Sequence, residues 1–455
     1  MIMTFPKNML ESFRNKSVLL VGFEKTNRAF YERLKTVEGV QIGIADKNAA
    51  AKLPSGVAAH LGDDYLANMQ DYDVIVRSPG VRYWPELLAM QERVTTATQL
   101  FFEHVRASSK ARVVGVTGTK GKSTTSTLVH LMLKDAGFHS LLVGNIGAQD
   151  WDRADRITDD SIIVYEMSSY MLCDFTERPD IAVMLNAHTS HIDWHGTFEA
   201  YVNAKGQITA FQTPEDTLIF NATDPALTQI ANRTLARAVP FKHMQTMHHD
   251  GDWFYDGSRE LFETKDVRIP GRHNRDNVLA VLAVAKTLGV DVEHVHHIVK
   301  TFVGLPHRLE FVGTFRKIDF YDDAIASNPD STMAALHTFA GRIGSLILGG
   351  KDSGFDFGPL AHLIAYLKIP VIVSMPGARH TINGTLEHAG YAGKIVEVDS
   401  MREAVDACFR ETAPETIALL STATQSYDLF KNFEEQGDAF QRFVREIGNK
   451  KNRRL

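Results

Sequence analysis

The sequence predicts an α/β protein with three domains. Short apolar segments alternate with helical patterns, beginning with residues 17–22, which read SVLLVG, and a second strand over residues 40–45. A glycine-rich loop follows the later strand from Arg112 to Val116 and comes directly before another helical pattern. The chain has 455 residues, enough for about three domains of roughly 150 residues each.

The composition excludes several classes of protein. The formal charge is −6 without long runs of one sign, so no electrostatic footprint for nucleic acid or an anionic membrane is present. The two cysteines, Cys173 and Cys408, are too few for a disulfide framework or a four-cysteine zinc site. No segment approaches the roughly 20 apolar residues of a membrane span. We expect a soluble, cytoplasmic protein with no nucleic acid or membrane partner.

The domain boundaries follow from breaks in the strand pattern. Residues 1–107 form the first predicted domain, a nucleotide-binding α/β domain whose strand at residues 74–76 runs into Ser78-Pro79-Gly80. Its first turn, GFEKTN, has one glycine, which does not satisfy the dinucleotide fingerprint. The charged stretch of residues 104–110 marks the first boundary, residues 108–306 form a second domain, and residues 307–455 form a third domain.

The loop TGTKGKST, residues 117–124, is a predicted phosphate-binding loop. Small residues let backbone N–H groups surround phosphate oxygens, and the helix N-terminus adds partial positive charge. Lys122 can reach the β- and γ-phosphates, and Ser123 or Thr124 can place a hydroxyl on Mg²⁺. The strict pattern has glycine where Val116 stands, and the alternative is an ordinary tight turn. The predicted ATP-contacting residues of the loop are Gly118, Thr119, Gly121, Lys122, Ser123 and Thr124.

The phosphate loop by itself does not determine the reaction. One candidate is a ligase or kinase that makes a covalent product. The other is a P-loop switch or transport ATPase, in which hydrolysis only drives a conformational change.

A metal site is predicted beside this loop. The strand SIIVY ends at Glu166, and the next strand precedes His188, His191, Asp193 and His195. Because ligands gather at the carboxyl ends of parallel strands, Glu166 and His191 can meet there and bind a second Mg²⁺ or Mn²⁺. The alternatives for the segment HTSHIDWH are a hydrogen-bonded surface loop and a zinc site of three histidines.

Several motifs together resemble the Mur ligases. They are EMSSYML, NAHTSHIDWHG, residues 201–205, GRHNRDN and GLPHRLE, and the resemblance extends from about residue 112 to the C-terminus. It implies an N-terminal Rossmann-like domain that binds a UDP-linked substrate, a central ATPase domain and a C-terminal Rossmann-like domain that receives an amino acid. The ending LLSTATQSYDLFKNFEEQGDAF most resembles members that join D-glutamate to UDP-N-acetylmuramoyl-L-alanine in peptidoglycan synthesis.

The resemblance also implies roles for individual residues. Lys122 and Arg308 would contact the γ-phosphate, and Ser123 and Glu166 would bind one Mg²⁺ while His191 binds a second. The other implied contacts are Asn145 with the sugar nucleotide, Asn274 and Asn277 with adenine, Asp323 with ribose, and Ser327, Ser426 and Phe433 with the amino acid. The GRHNRDN and PHRLE motifs argue against a P-loop switch, and a folylpolyglutamate-type enzyme would lack the UDP domain. We expect a monomer.

Lys205 has two interpretations. A lysine on a helix is ordinarily a solvated surface charge. The resemblance implies instead a CO₂-derived carbamate, whose two oxygens make the side chain an anionic Mg²⁺ ligand.

Two positions depart from the D-glutamate enzymes. Ile325 in YDDAIASN and Ser353 after Gly349-Gly350 replace basic residues of the family pattern. A glutamate side-chain carboxylate needs a cation or several donors, and the remaining candidates are Lys351, Lys431 and hydroxyl or backbone donors near Ser426. D-glutamate is the first expectation, and L-glutamate is the alternative.

Overall fold

The structure, a computed structural model, describes residues 9–427 and 429–449. It is an α/β protein with three sheets. The chain forms two compact units: one comprises the residues up to Arg268 together with Arg272–Thr301, and the other comprises Ile269–Gly271 and the residues from Phe302 onward. No helix in the described part of the chain is long and apolar enough to cross a bilayer.

The first sheet has five parallel strands in the order β3-β2-β1-β4-β5. The strands are β1 Ser17–Val21, β2 Gln41–Asp46, β3 Ala58–Leu61, β4 Val74–Arg77 and β5 Val94–Thr95, and the helices are α1 Lys25–Leu34, α2 Pro85–Ala89 and α3 Ala97–Ser108. The charged stretch taken as a boundary therefore begins inside α3. This helix persists because Phe101, Phe102 and Val105 on it are buried.

The second sheet has nine strands in the order β14-β13-β12-β11-β10-β9-β6-β8-β7 and belongs to the same unit. The strands are β6 Arg112–Thr117, β7 Ser140–Gly144, β8 Ile162–Glu166, β9 Ile181–Met184, β10 Thr217–Asn221, β11 Arg237–Phe241, β12 Met247–His249, β13 Trp253–Asp256 and β14 Arg259–Glu263. The helices are α4 Lys122–Asp135, α5 Ser169–Leu172, α6 Ile192–His195, α7 Phe198–Ala210, α8 Pro225–Ala231, α9 Arg272–Leu288 and α10 Val292–Thr301. Only the β12-β13-β14 end is antiparallel. Strands β8 and β9 are buried throughout, as their continuous apolar runs predict.

One hydrophobic core connects the first two sheets. The Trp151 ring lies 5.0 Å from Phe30 and 5.8 Å from Phe101, and its indole N–H donates to the Ala97 carbonyl at 2.9 Å. The two domains are therefore packed together by apolar contacts within the first unit.

The third sheet lies in the second unit and has the order β15-β16-β20-β17-β18-β19, with only β15 antiparallel to its neighbour. The strands are β15 Glu310–Phe315, β16 Ile318–Asp322, β17 Ile343–Gly350, β18 Val371–Gly377, β19 Lys394–Glu397 and β20 Ile417–Leu420. The helices are α11 Pro329–Thr338, α12 Gly358–Tyr366, α13 Arg379–His388, α14 Met401–Glu411 and α15 Phe433–Asn449. The predicted α/β fold class is confirmed.

Candidate active site

The phosphate loop lies at the carboxyl edge of the second sheet. It leaves β6, which is flanked by β8 and β9, and leads directly into α4 at Lys122. Gly121 has φ 84°, a left-handed conformation, and a Cβ at this position would overlap the side chain of Asn277. A Cβ at Gly118 would lie 2.9 Å from the Cβ of Leu185. Both glycines are thus required by close packing of the loop.

Two side chains that the sequence analysis gave no role hold this loop. The Asn186 amide accepts from the Lys120 N–H at 2.9 Å and donates to the Lys120 carbonyl at 3.1 Å. The hydroxyls of Thr119 and Tyr201 lie 2.9 Å apart. Asn186 could have been recognised as a polar residue just after the strand beside the loop, whereas Tyr201 is 82 residues away from Thr119 and gave no such signal.

The loop lysine and hydroxyls occupy different environments. The Lys122 ammonium donates to the carbonyls of Gly118 at 2.9 Å and Thr119 at 3.2 Å, so it lies over the loop itself. Ser123 is partly exposed, while Thr124 is buried. Of the two hydroxyls, that of Ser123 is the more accessible to a metal ion.

Glu166 is a buried carboxylate with one oxygen lacking a hydrogen bond. It ends β8, and Gly144 is its partner on β7, which brings the next residue, Asn145, alongside. The Asn145 amide donates to Glu166 Oε1 at 2.9 Å, whereas Oε2 is buried without a hydrogen-bond partner among the described residues. An unsatisfied buried carboxylate oxygen is unfavourable without a ligand, and oxygen is the ligand that Mg²⁺ prefers.

Lys205 is buried, so the surface-charge interpretation is wrong. Its side chain is 1% exposed on α7, and Nζ donates to the Gly118 carbonyl at 3.0 Å. Burial lowers the pKa of this lysine well below its usual value, the Lys122 ammonium lowers it further, and Glu166 opposes the shift. The fold therefore favours the neutral amine, which is the form that reacts with CO₂.

His191 is the N-cap residue just before α6 and has a left-handed conformation with φ 54°. Its ring lies 5.0 Å from that of Tyr170. Burial lowers the pKa of His191, and the neighbouring Lys122 and Lys205 lower it further. A neutral imidazole close to both lysines is in the state needed to bind a metal.

The three-histidine zinc site is not assembled. His195 Nε2 lies 3.0 Å from the Ser169 hydroxyl, and burial lowers its pKa to about 4. Across residues 9–427 and 429–449, the only set of three His, Cys, Asp or Glu side chains within reach of one ion is His307, Glu310 and Asp322. The zinc alternative for residues 188–195 is therefore wrong.

Asn274 and Asn277 lie in the first turns of α9. Both are buried, and the Asn277 amide donates to Asn274 Oδ1 at 2.9 Å. The side-chain oxygen Oδ1 of Asn277 also fills the space beside Gly121. The two asparagines therefore border the phosphate loop. The structure thus brings the predicted adenine residues and the loop together within one unit.

Arg308 and Asp323 belong to the second unit. Arg308 is exposed, between His307 and Leu309, which both have positive φ. Asp323 is buried, and its two oxygens accept from the Ser421 hydroxyl at 2.9 Å and the Leu309 N–H at 3.2 Å. Burial raises the pKa of Asp323 to about 7. The predicted ribose contact of Asp323 stays a prediction.

Two of the residues predicted to contact the amino acid, Ser426 and Ser327, lie near the carboxyl ends of β17 and β20. Lys351 follows β17, and its N–H donates to the Gln425 carbonyl at 2.8 Å, next to the buried Ser426. The Thr422 hydroxyl donates to the Ala326 carbonyl at 3.4 Å, beside Ser327. Phe433 begins α15 and lies 6.2 Å from His307, ring to ring.

Thr424 was not singled out from the sequence. Its hydroxyl is buried without a hydrogen-bond partner among the described residues, and a Cβ at Gly350 would lie 2.5 Å from it. Ile325 and Ser353 are not basic, so the side-chain carboxylate of glutamate needs other donors. The Thr424 hydroxyl, two residues before Ser426, is a further candidate. Its signal in the sequence was the hydroxyl-rich run STAT directly after a strand.

Comparison with known proteins identifies the relatives of this chain. Residues 116–285 match the Mur ligase middle domain, and residues 307–424 match the Mur ligase glutamate ligase domain. The UDP-N-acetylmuramoylalanine–D-glutamate ligase of Halalkalibacterium halodurans is 33% identical over 94% of this chain and 97% of its own length. The enzyme of the same name from Streptococcus pneumoniae is 32% identical over 96% of this chain and 99% of its own length.

Solved structures share the fold. MurF from Acinetobacter baumannii has a TM-score of 0.60 at 15% identity, covering 97% of this chain and 99% of that one. The UDP-N-acetylmuramate-alanine ligase MurC from Thermotoga maritima has a TM-score of 0.58 at 18% identity, covering 95% of this chain and 99% of that one. With sequence relatives that match over nearly the full length of both chains, this protein belongs to the Mur ligase family.

Proposed function

We propose that this chain is an ATP-dependent ligase that joins D-glutamate to the carboxyl group of UDP-N-acetylmuramoyl-L-alanine in peptidoglycan synthesis. The observation that carries the proposal is 33% identity over almost the whole length of a relative that is named for this reaction. The relatives' names specify D-glutamate, so L-glutamate is not favoured. A P-loop switch is not supported by any of these relatives.

The reaction requires activation of a carboxylate, which is a poor electrophile. The acceptor carboxylate attacks the γ-phosphorus of ATP, the bond to ADP breaks, and an acyl phosphate forms. The glutamate amine then attacks the acyl carbon and loses a proton, and phosphate leaves as the amide forms. We assign Lys122 and Arg308 to neutralising the charge on the transferring phosphoryl group.

The residues at the loop fit a magnesium site. The unsatisfied Oε2 of Glu166, the accessible hydroxyl of Ser123 and the neutral imidazole of His191 form a mostly oxygen donor set. We propose that these side chains hold two Mg²⁺ ions, with Mn²⁺ as a substitute. When bound, the metal would polarise the phosphoryl oxygens and offset their negative charge.

We propose that Lys205 completes this site as a carbamate. The neutral amine attacks CO₂, a C–N bond forms, and one proton is released to solvent. The product replaces an ammonium with an anion that has two oxygens, close to Lys122 and Glu166. The support is the burial of Lys205 at the loop, where a second permanent cation would be costly.

We propose contacts for the remaining site residues. Asn274 and Asn277 would contact adenine, Asp323 the ribose and Asn145 the sugar nucleotide. The contacts with glutamate would come from Ser327, Ser426 and Phe433. Gly118, Thr119, Gly121 and Thr124 complete the phosphate contacts. We also propose domains at residues 1–107, 108–306 and 307–455, and a monomeric enzyme that meets its nucleotide-linked substrate in the cytoplasm.

The test is phosphate release by the purified full chain with ATP, Mg²⁺ and UDP-N-acetylmuramoyl-L-alanine. D-Glutamate, L-glutamate, D-aspartate and L-lysine are supplied in turn. We expect turnover only when acceptor and amino acid are both present, with D-glutamate preferred. Preference for L-glutamate would overturn the stereochemical assignment, and turnover with L-lysine alone would overturn the assignment of glutamate as the added amino acid. ATP turnover without acceptor and amino acid would overturn the assignment as a ligase.

A further inference from the structure

A buried polar network surrounds the turn that carries Arg308. His307 Nδ1 lies 2.7 Å from Asp322 Oδ2, and the His307 N–H donates to Glu310 Oε2 at 2.8 Å. The side-chain amide of Gln441, on α15, donates to both of these carboxylate oxygens at 2.9 Å each. His307, Asp322 and Gln441 are all less than 10% exposed. One amide group thus bridges two carboxylates that both contact His307, the residue before Arg308.

The turn needs such support because its backbone is strained. His307 and Leu309 have φ angles of 57° and 45°, a region that side chains other than glycine rarely occupy. Arg308, between them, is exposed. Strain at two neighbouring residues persists only where surrounding contacts over-determine the conformation.

The last helix is built to reach this turn. A Cβ at Gly437 would overlap the imidazole of His307, so only glycine lets α15 approach this closely. One turn further along α15, the side chain of Gln441 contacts the two carboxylates. Its side-chain oxygen Oε1 accepts a hydrogen bond from the Arg445 guanidinium at 2.9 Å. The hydrogen bond to Asp322 raises the pKa of His307, which favours the charged imidazolium between the acids.

We propose that Gln441 is a positioning residue for Arg308, acting through Glu310 and Asp322 to fix the turn that presents the guanidinium to the γ-phosphate. The proposal rests on the proposed function of Arg308. None of the matched family segments includes Gln441, since the C-terminal match ends at residue 424. Without the bridging amide, the buried Asp322 and the partly buried Glu310 lose the donor that they share, and the strained turn relaxes.

The experiment compares nucleotides that differ at the γ-phosphate. Binding of ADP and of a non-hydrolysable ATP analogue to the full-length protein is measured by calorimetry with Mg²⁺ present. Gln441→Met keeps the side-chain length but has no hydrogen-bond donor. We expect this variant to bind the ATP analogue about tenfold more weakly and to bind ADP as tightly as the wild type does. We expect Gln441→Lys, which can donate to both carboxylates, to recover most of the analogue affinity.

The matched control is Gln212→Leu. Gln212 is also a buried glutamine, and its amide donates to the carbonyls of Pro179 and Thr217, at the opposite edge of the second sheet from the phosphate loop. We expect it to lower thermal stability without changing the ratio of analogue to ADP affinity. An unchanged ratio in Gln441→Met, or equal loss in both variants, overturns the positioning role. If the wild-type protein binds neither ADP nor the ATP analogue, the proposed function is overturned instead.

Discussion

Lys122 and Lys205 donate to the same carbonyl oxygen, that of Gly118, at 2.9 Å and 3.0 Å. Two ammonium groups on one acceptor repel each other, and the repulsion is strong where water is excluded. Loss of the charge on Lys205, or its conversion to a carbamate, relieves this repulsion. The pair is therefore the structural basis for assigning different charge states to two lysines at one loop.

Replacing Lys205 with alanine tests the carbamate. We expect Lys205→Ala to lose activity about a hundredfold and to recover partly with formate or acetate, whose oxygens can substitute for the carbamate. Lys134→Ala, which removes an exposed lysine from α4, is the control and should keep wild-type activity. Mass spectrometry of the native protein should show added CO₂ that CO₂-free buffer removes. Full activity in the unmodified state would refute the assignment.

Replacing Lys122 with alanine tests the phosphate loop. We expect Lys122→Ala to lower ADP formation about a thousandfold, because the charge serves the transferring phosphoryl group. Its melting temperature should stay close to that of the wild type, since Lys122 is partly exposed and donates to backbone carbonyls of its own loop. ADP release is followed by a coupled assay. Activity near the wild-type level would remove Lys122 from the mechanism.

Replacing Glu166 with glutamine should separate activity from stability. The amide keeps an oxygen for Asn145 but removes a buried charge that has one unsatisfied oxygen. We expect Glu166→Gln to lose about a hundredfold in activity and to need more Mg²⁺ for half-maximal rate, while its melting temperature is unchanged or higher. Asp150→Asn, another buried acid of this unit, should retain activity. A wild-type Mg²⁺ requirement in Glu166→Gln would exclude Glu166 as a ligand.

Asp323 should make the protein less stable as pH rises. Its pKa is about 7 in the fold against a usual 3.8, so between these values the folded state binds more protons than the unfolded state. The stability contributed by the protonated acid is present below pH 4 and is lost as pH rises to about 7, by at most roughly 4 kcal/mol. The urea midpoint of Asp323→Asn, compared with that of the wild type, should therefore be raised more at pH 8 than at pH 4. A difference between the two proteins that does not change with pH would contradict this.

The local spacing of residues determined the parts of the site that are contiguous in the chain. The strand from Arg112, the glycines of the loop and the helix from Lys122 could be predicted because strand, turn and helix follow from neighbouring residues. Glu166 could be placed beside the loop because polar residues at the carboxyl ends of parallel strands share one edge. The resemblance of the motifs added the reaction class and the role of the third domain.

Tertiary structure decided the properties that depend on distant neighbours. The burial of Lys205, the contact of Tyr201 with Thr119, the unused hydroxyl of Thr424 and the bridge from Gln441 all join segments far apart in sequence. Whether a side chain is charged or neutral, satisfied or unsatisfied, depends on which groups packing brings within a few ångströms and on how much water it excludes. A sequence pattern names the residues and their order, but desolvation and hydrogen-bond geometry exist only once the sheets and helices have packed.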